Sequence, residues 1–226
     1  MPARPLLLGH RGARAEKSIP ENSLESFDLA LAQGCDGFEF DLRLSADGQA
    51  VVCHDPKIQG MSVALRSAES LQLLSLPEVL SRYRRKAFLD IELKVAGLEK
   101  ITARLLRNSP PACGYVVSSF LPGVLESLHS IDGKIPLGLI SETQRQLSRW
   151  PELPIECVIL HRKLIEKKLV RDLKAAANKI FVWTVNLPAE IRRFAKWEVD
   201  GIISDHPKLL ARTLAAYSIN ANLPRA

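Results

Sequence analysis

Two acids and a histidine stand close together in the stretch Gly37 to Asp55, GFEFDLRLSADGQAVVCHD. Phe38, Phe40 and Leu42 alternate with Glu39, Asp41 and Arg43, a period of two that puts both carboxylates on one face of a strand. Same-face neighbours of like charge repel unless something positive lies between them, and a hard divalent cation with oxygen ligands is the natural occupant. Asp47-Gly48 is a turn signal, and the β-rich Ala50-Val51-Val52-Cys53 returns His54 towards the strand it left. A second stretch repeats the pattern. Asp90, Glu92 and Lys94 alternate with Ile91 and Leu93, so a third carboxylate shares a face with a lysine. Three carboxylates at one rim could ligate one Mg²⁺ or Ca²⁺, leaving Lys94 and Arg11 to neutralise a bound phosphate. Plainer readings exist for each residue. Glu39 and Asp41 could face water on a two-sided strand, Glu92 and Lys94 could form a salt bridge, His10 could be a satisfied core histidine, and Asn22 reads as a helix cap.

Elements that alternate in kind must hold these residues. Leu6-Leu7-Leu8 is a first buried strand, Asn22-Ser23-Leu24-Glu25 caps a helix running through Phe27, Ala30 and Leu31 to Gly34, and a second strand covers 37–43. The same grammar predicts strands over 87–93, 115–118, 137–140, 157–160, 180–185 and 201–204. It predicts helices over 77–83, 98–106, 124–128, 142–150 (weaker), 164–177, 188–197 and 207–217. Alternation of this kind argues for a parallel sheet, and about eight such units in ~200–250 residues point to a closed (β/α)₈ barrel. A doubly wound open sheet is the runner-up, disfavoured because no GxGxxG follows the first strand. The chain reads as a single domain over 1–226, with 55–76 the only irregular piece, a short insertion after the second strand and its hairpin.

On such a barrel the unusual residues fall at carboxyl ends of strands, where active sites of this architecture are built. His10-Arg11-Gly12 follows the first strand, Glu39 and Asp41 lie towards the end of the second, and Glu92 and Lys94 close the third. Trp183 and Asn186 end the strand before last, and Ser204-Asp205-His206 end the last.

Composition narrows the class. The 226 residues are 46% hydrophobic and 25% charged, enough for a full core. A net charge of +6 is spread over 31 basic and 25 acidic residues. The densest basic stretches are Arg82, Arg84, Arg85 and Lys86, and Lys163, Lys167, Lys168, Arg171 and Lys174; the second shares a helix with an apolar stripe of Ile165, Leu169, Leu173 and Ala176, so it reads as a solvated face. With 6% aromatic residues and none interleaved among the lysines, nucleic acid is not an expected partner. Cys35, Cys53, Cys113 and Cys157 are widely spaced and read as small core residues in a reducing compartment. No run approaches the ~18 apolar residues of a membrane span, and Leu6-Leu7-Leu8 is too short for a signal peptide. A cytoplasmic chain without stable membrane insertion is expected; the oligomeric state is left open.

The sequence resembles the glycerophosphodiester phosphodiesterase family. GHRG at 9–12, PENS at 20–23, the stretch 37–55, DIELK at 90–94, WTVN at 183–186 and DGIISDHP at 200–207 occur in family order over nearly the whole chain. The resemblance implies a TIM barrel, one divalent metal held by Glu39, Asp41 and Glu92, and two catalytic histidines, His10 and His54. It also implies that Arg11 and Lys94 bind the phosphate, and Trp183 is counted with them as substrate-binding. The implied reaction is metal-dependent hydrolysis of small glycerophosphodiesters to sn-glycerol 3-phosphate and an alcohol. Two departures stand out. The segment after His54-Asp55 is short and lacks the family's usual arginine- and threonine-rich start, which leaves the leaving alcohol open, and His206 stands where another residue is more frequent, so it is given no role. The alternatives are a lysophospholipase D-like hydrolase on the same barrel and a non-catalytic phosphate-ligand binder. Intact His10, His54 and three carboxylates argue against the binder.

Overall fold

Burial of alternate side chains decides which way each strand is turned, and so what reaches the site. The computed structural model describes residues 4–221; residues 1–3 and 222–226 of the expected single domain lie outside the described residues. In chain order the first elements are β1 (Leu6–His10), α1 (Leu24–Ala32), β2 (Gly37–Leu44), β3 (Ala50–Val52), β4 (Lys57–Ile58), β5 (Met61–Ser62), α2 (Ala68–Leu71) and α3 (Leu76–Tyr83). Next come β6 (Phe88–Leu93), α4 (Glu99–Asn108), β7 (Tyr115–Ser119), α5 (Pro122–Ile131), β8 (Leu137–Ser141) and α6 (Gln144–Leu147). The chain closes with β9 (Cys157–His161), α7 (Lys167–Ala175), β10 (Lys179–Trp183), α8 (Pro188–Lys196), β11 (Gly201–Ser204) and α9 (Pro207–Ala221). β1, β2 and β6 to β11 pair in parallel around a ring that β1 closes by pairing with both β2 and β11, which makes the expected eight-stranded barrel. β3 hangs antiparallel from β2, as the hairpin signal requires.

β2 shows why the acids face inwards. Phe38, Phe40 and Leu42 are fully buried on its outer side, where Phe38 stacks on Phe27 at 4.1 Å and meets Tyr83 edge-on at 4.9 Å. Burying these three side chains favours this register by roughly 5–9 kcal/mol, and a slip of one residue would turn all three to the lumen. Glu39 and Asp41 therefore point into the barrel rather than into water. Leu89, Ile91 and Leu93 do the same for β6, sending Asp90 and Glu92 inwards. Below the acids, Leu8, Val116, Ile140, Cys157, Ile159, Phe181 and Ile203 fill the lumen, with Phe88 packed against them. Gly37 and Gly201 make room at the floor: a Cβ on Gly37 would sit 1.9 Å from the Phe88 carbonyl oxygen, and one on Gly201 2.7 Å from the Phe181 ring.

Several expected boundaries move. The segment 55–76 is structured, with the β4–β5 hairpin, a 3₁₀ turn at Val63–Leu65 and α2. The helix expected over 142–150 shrinks to α6, because Pro151 opens a separate 3₁₀ turn at Trp150–Glu152. The helix over 164–177 is only α7, and its buried residues are Val170 and Leu173, while Ala176 is exposed and drops out of the stripe. Its lysines are exposed as expected. Cys113 is exposed, unlike the other three cysteines, because it lies in the turn before β7 rather than on a strand. No helix among the described residues is long and apolar enough to cross a membrane.

Candidate active site

The carboxyl ends of the strands open on a cavity of about 230 Å³ with two unlike walls. One wall carries His10, Arg11, Glu39, His54, Asp90, Glu92 and Lys94; the other carries Phe120, Ile140, Ile159, Trp183 and Ile203, with Glu142 at its edge. Strand register brings the charged wall together. His10 on β1 is level with Glu39 on β2, which is level with Asp90 on β6, and Asp41 is level with Glu92. One oxygen from each of Glu39, Asp41 and Glu92 lies within 4.8 Å of the others.

Four buried carboxyls crowd this wall, and their environments push them apart. Burial and the neighbouring acids raise Glu39 well above the ordinary range, and burial with Asp41 raises Glu92 to about 7. Asp90 is also raised to about 7, chiefly by burial, although Ser118 donates to it at 2.6 Å. Asp41 goes the other way. Burial opposes its charge, but Lys94, Arg11 and the Asn22 amide together outweigh that and hold it below the usual value. Lys94 Nζ lies 2.8 Å from Glu92 Oε1 and 3.3 Å from Asp41 Oδ1, and Arg11 Nε lies 3.2 Å from Asp41 Oδ2.

Ionised together, the four carboxyls would carry two negative charges more than Arg11 and Lys94 balance, the charge that a divalent ion brings. Asp41 Oδ1 and Glu92 Oε1 are buried with the Lys94 ammonium as their ion-pair partner, and each carboxylate oxygen keeps a further lone pair for a ligand. An all-oxygen, carboxylate-rich donor set suits Mg²⁺ or Ca²⁺ rather than a soft metal. The residues present fit such an ion.

The two histidines differ. His10 is buried, with Nδ1 2.7 Å from Asp205 Oδ1 and Nε2 3.8 Å from Glu39 Oε2. Burial lowers its pKa, and Asp205 offsets only part of that. Asp205 in turn accepts from Asn186 Nδ2 at 2.6 Å and from Arg14 Nη1 at 3.4 Å, and its pKa lies far below the carboxylate range because His10 first, then Asn186 and Arg14, outweigh its burial. His54 is one-third exposed at the cavity mouth, with Nδ1 2.7 Å from Asp55 Oδ1. Its carbonyl accepts from Arg43 Nε at 2.8 Å, which ties the end of the hairpin to β2.

The sequence-derived site residues thus meet in one place. His10, His54, Arg11, Lys94, Trp183, Glu39 and Glu92 line the cavity, and Asp41 joins the carboxylate cluster. Asn22 is a correction. The cap of α1 is Ser23, whose Oγ accepts from the Ser26 amide, whereas Asn22 donates its side-chain amide to Asp41 Oδ2 at 2.9 Å. Asp205 and Asn186 had been placed at strand ends without a role; extending the lumen alternation of Gly201 and Ile203 by two residues points to Asp205. His206 is exposed and outside this cavity.

The model of the glycerophosphoryl diester phosphodiesterase family matches residues 10–109 and 112–209. The chain belongs to this family of phosphoric diester hydrolases. It is 27% identical to a glycerophosphodiester phosphodiesterase of Caldanaerobacter subterraneus, over 91% of this chain and 96% of the relative. A solved structure from Silicibacter pomeroyi shares the fold at TM-score 0.88 and 22% identity, covering 96% of this chain and 95% of that one. An Oleispira antarctica phosphodiesterase, solved in complex with the product sn-glycerol-3-phosphate, shares it at TM-score 0.83 and 24% identity, covering 94% of this chain and 97% of that one.

Proposed function

We propose that this chain hydrolyses glycerophosphodiesters to sn-glycerol 3-phosphate and an alcohol, with one divalent cation, Mg²⁺ or Ca²⁺, held by Glu39, Asp41 and Glu92. The observation that carries the reading is the single cavity in which three close carboxylates, two histidines, Arg11 and Lys94 converge. When bound, the cation would supply positive charge against the phosphodiester oxygens. Arg11 and Lys94 add two further charges on the same wall, and Lys94 is held in place by Glu92 and Asp41.

His10 is suited to the base. An ionised Asp205 fixes the tautomer with hydrogen on Nδ1, leaving the Nε2 lone pair on the side of the cluster, where it can take the proton of the attacking hydroxyl. His54, nearer solvent, is then the acid that protonates the departing alkoxide. Trp183 forms part of the opposite wall and bounds the substrate. The whole chain acts as one catalytic domain in the cytoplasm, with 55–76 as a short cap.

A lysophospholipid substrate is a second reading. Met61, Leu65, Leu121 and Leu187 are exposed, and all lie in segments following the carboxyl ends of barrel strands or their hairpin, on the side of the mouth. The test is glycerol 3-phosphate release from a panel of glycerophosphodiesters and lysolipids, after chelation and after return of Mg²⁺ or Ca²⁺. Release that vanishes with chelator and returns with metal is expected; turnover of the full panel in excess chelator would overturn the metal reading.

A further inference from the structure

Pro20-Glu21-Asn22-Ser23 puts its polar side chains to different uses. Asn22 holds Asp41 and Ser23 caps α1, whereas Glu21 has both of its oxygens taken by arginines. Oε1 accepts from Arg11 Nη1 at 2.7 Å and Oε2 from Arg14 Nε at 2.8 Å. Each arginine then reaches one half of the site. Arg11 Nε lies 3.2 Å from Asp41 Oδ2, and Arg14 Nη1 donates at 3.4 Å to Asp205 Oδ1, the same oxygen that meets His10 Nδ1 at 2.7 Å. We infer that Glu21 is a positioning residue for both halves of the reaction: it aims Arg11 at the phosphate and, through Arg14 and Asp205, keeps His10 in place as the base. The inference rests on the phosphodiesterase reading above and adds to that site a residue outside the cavity that Arg11 and His10 line.

A carboxylate is needed here rather than any acceptor. Arg11 and Arg14 are both donors, so an amide at position 21 could accept from one but would turn its own N–H groups on the other. A shorter acid would not span the two. With Nη1 on Glu21 and Nε on Asp41, the Arg11 guanidinium plane is fixed from two edges. The Arg14 arm matters because Asp205 Oδ1 is shared. Relieved of Glu21, Arg14 keeps one carboxylate in place of two and closes on that oxygen in competition with the His10 N–H.

Bracing of the loop is not what Glu21 adds. The backbone already closes the stretch between β1 and α1, with Asn22 N donating to Arg11 O at 3.1 Å, Ala13 N to Ser26 O at 3.1 Å and Ala15 N to Asp205 O at 3.0 Å. The Arg14 and Glu21 side chains are 39% and 38% exposed, where ion pairs contribute little to stability. Rate is far more sensitive to orientation: a misplacement of about 1 Å can cost on the order of 10²-fold.

The test compares wild type, Glu21→Gln and Glu21→Asp as metal-loaded enzymes on one glycerophosphodiester. Glu21→Gln should lower kcat/KM by about 10–100-fold, with KM raised through Arg11 and kcat lowered through His10, while melting temperature and metal affinity stay close to wild type. Glu21→Asp should recover the charge but only part of the rate. In an Asp205→Asn background, Glu21→Gln should cost less in kcat than in wild type, because the arm it acts through is already cut. A kcat/KM within twofold of wild type, equal kcat losses in both backgrounds, or a loss matched by a fall in metal affinity or melting temperature would overturn the inference. Two readouts need no turnover and so separate it from the activity reading. The downfield ¹H resonance of His10 Nδ1–H, identified by its absence in His10→Ala, should shift in Glu21→Gln, and calorimetric titration with inorganic phosphate should show weaker binding. Both changes support the inference even if no ester is hydrolysed, and if either is missing it fails whatever the turnover.

Discussion

Nδ1 of His10 and Oδ1 of Asp205, 195 residues apart in sequence, lie 2.7 Å from each other across the seam where the last strand of the barrel meets the first. Asp205 is itself pinned by Asn186 and Arg14, so the imidazole is held from behind by a fixed anion. A carboxylate in this position sets the tautomer and stabilises the imidazolium once a proton has been taken.

Asp205→Asn should therefore lower kcat by about 10²–10⁴-fold, the range of losses when such an anion is neutralised in other histidine systems. KM and metal affinity should change little, since Asp205 is not one of the clustered carboxylates. Steady-state kinetics beside a metal titration checks this. A variant with kcat within threefold of wild type would show that His10 needs no orienting anion.

The acids predict how stability follows pH. Asp90 and Glu92 have folded pKa values of about 7, above their unfolded values, so the metal-free fold binds protons that the unfolded chain does not. Their protonated forms favour the fold below the unfolded pKa, and that advantage is lost as pH rises through about 7. Metal-free protein should melt at a lower temperature at pH 8 than at pH 5.5, and Mg²⁺ or Ca²⁺ should raise the melting temperature more at pH 8. Opposite shifts give opposite mutants: without metal at pH 8, Glu92→Gln should raise the melting temperature, and Asp41→Asn, which strips Lys94 and Arg11 of a partner, should lower it. Thermal melts in chelator decide the matter; a metal-induced gain that is flat with pH would be contrary to this account.

These groups also mark how far the sequence could be read. Glu39 and Asp41 were legible because Phe38, Phe40 and Leu42 leave only one way to turn β2, and Glu92 followed from the same alternation on β6. Strand existence came easily, but ends did not. The strand expected to reach Val185 stops at Trp183, although the buried Val185 still donates its backbone N–H to Ile203 O at 2.9 Å. Asn22 was misread because Asn and Ser are equally good caps, and only the approach of β2 shows which of the two is needed elsewhere. Asp205 lacked a visible partner in sequence, because its partner lies at the opposite end of the chain. Phe120 and His161 meet Trp183 edge-on from separate strand ends, an assembly with no local pattern in the sequence.

Lys94 links stability and catalysis. It is the ammonium between Glu92 and Asp41, so Lys94→Met leaves two buried carboxylates short of a partner and should destabilise the metal-free protein by about 3–5 kcal/mol. Metal should recover part of that loss. On the metal-loaded enzyme kcat/KM should still fall by orders of magnitude, and Lys94→Arg should restore it only in part, because a planar guanidinium does not replace a compact ammonium. Urea melts with and without metal, together with kinetics, provide the check. If Lys94→Met kept its kcat/KM in saturating metal, Lys94 would be a structural counter-ion only.

The two histidines can be told apart by the alcohol that leaves. A general acid matters in proportion to how badly the departing oxygen needs a proton, so its loss costs little when the leaving group is already a stable anion. The general base has no such escape, because the attacking hydroxyl must be activated whatever departs. His10, backed by Asp205, is assigned the base, and His54, one-third exposed beside Asp55, the acid. On a glycerol phosphodiester with an alkyl alcohol, His10→Ala and His54→Ala should both lose on the order of 10²–10⁴-fold in kcat. On the nitrophenyl ester His54→Ala should recover most of its rate while His10→Ala stays slow. Recovery by His10→Ala instead would exchange the two roles, and near-normal alkyl turnover by either variant would remove that histidine from proton transfer altogether.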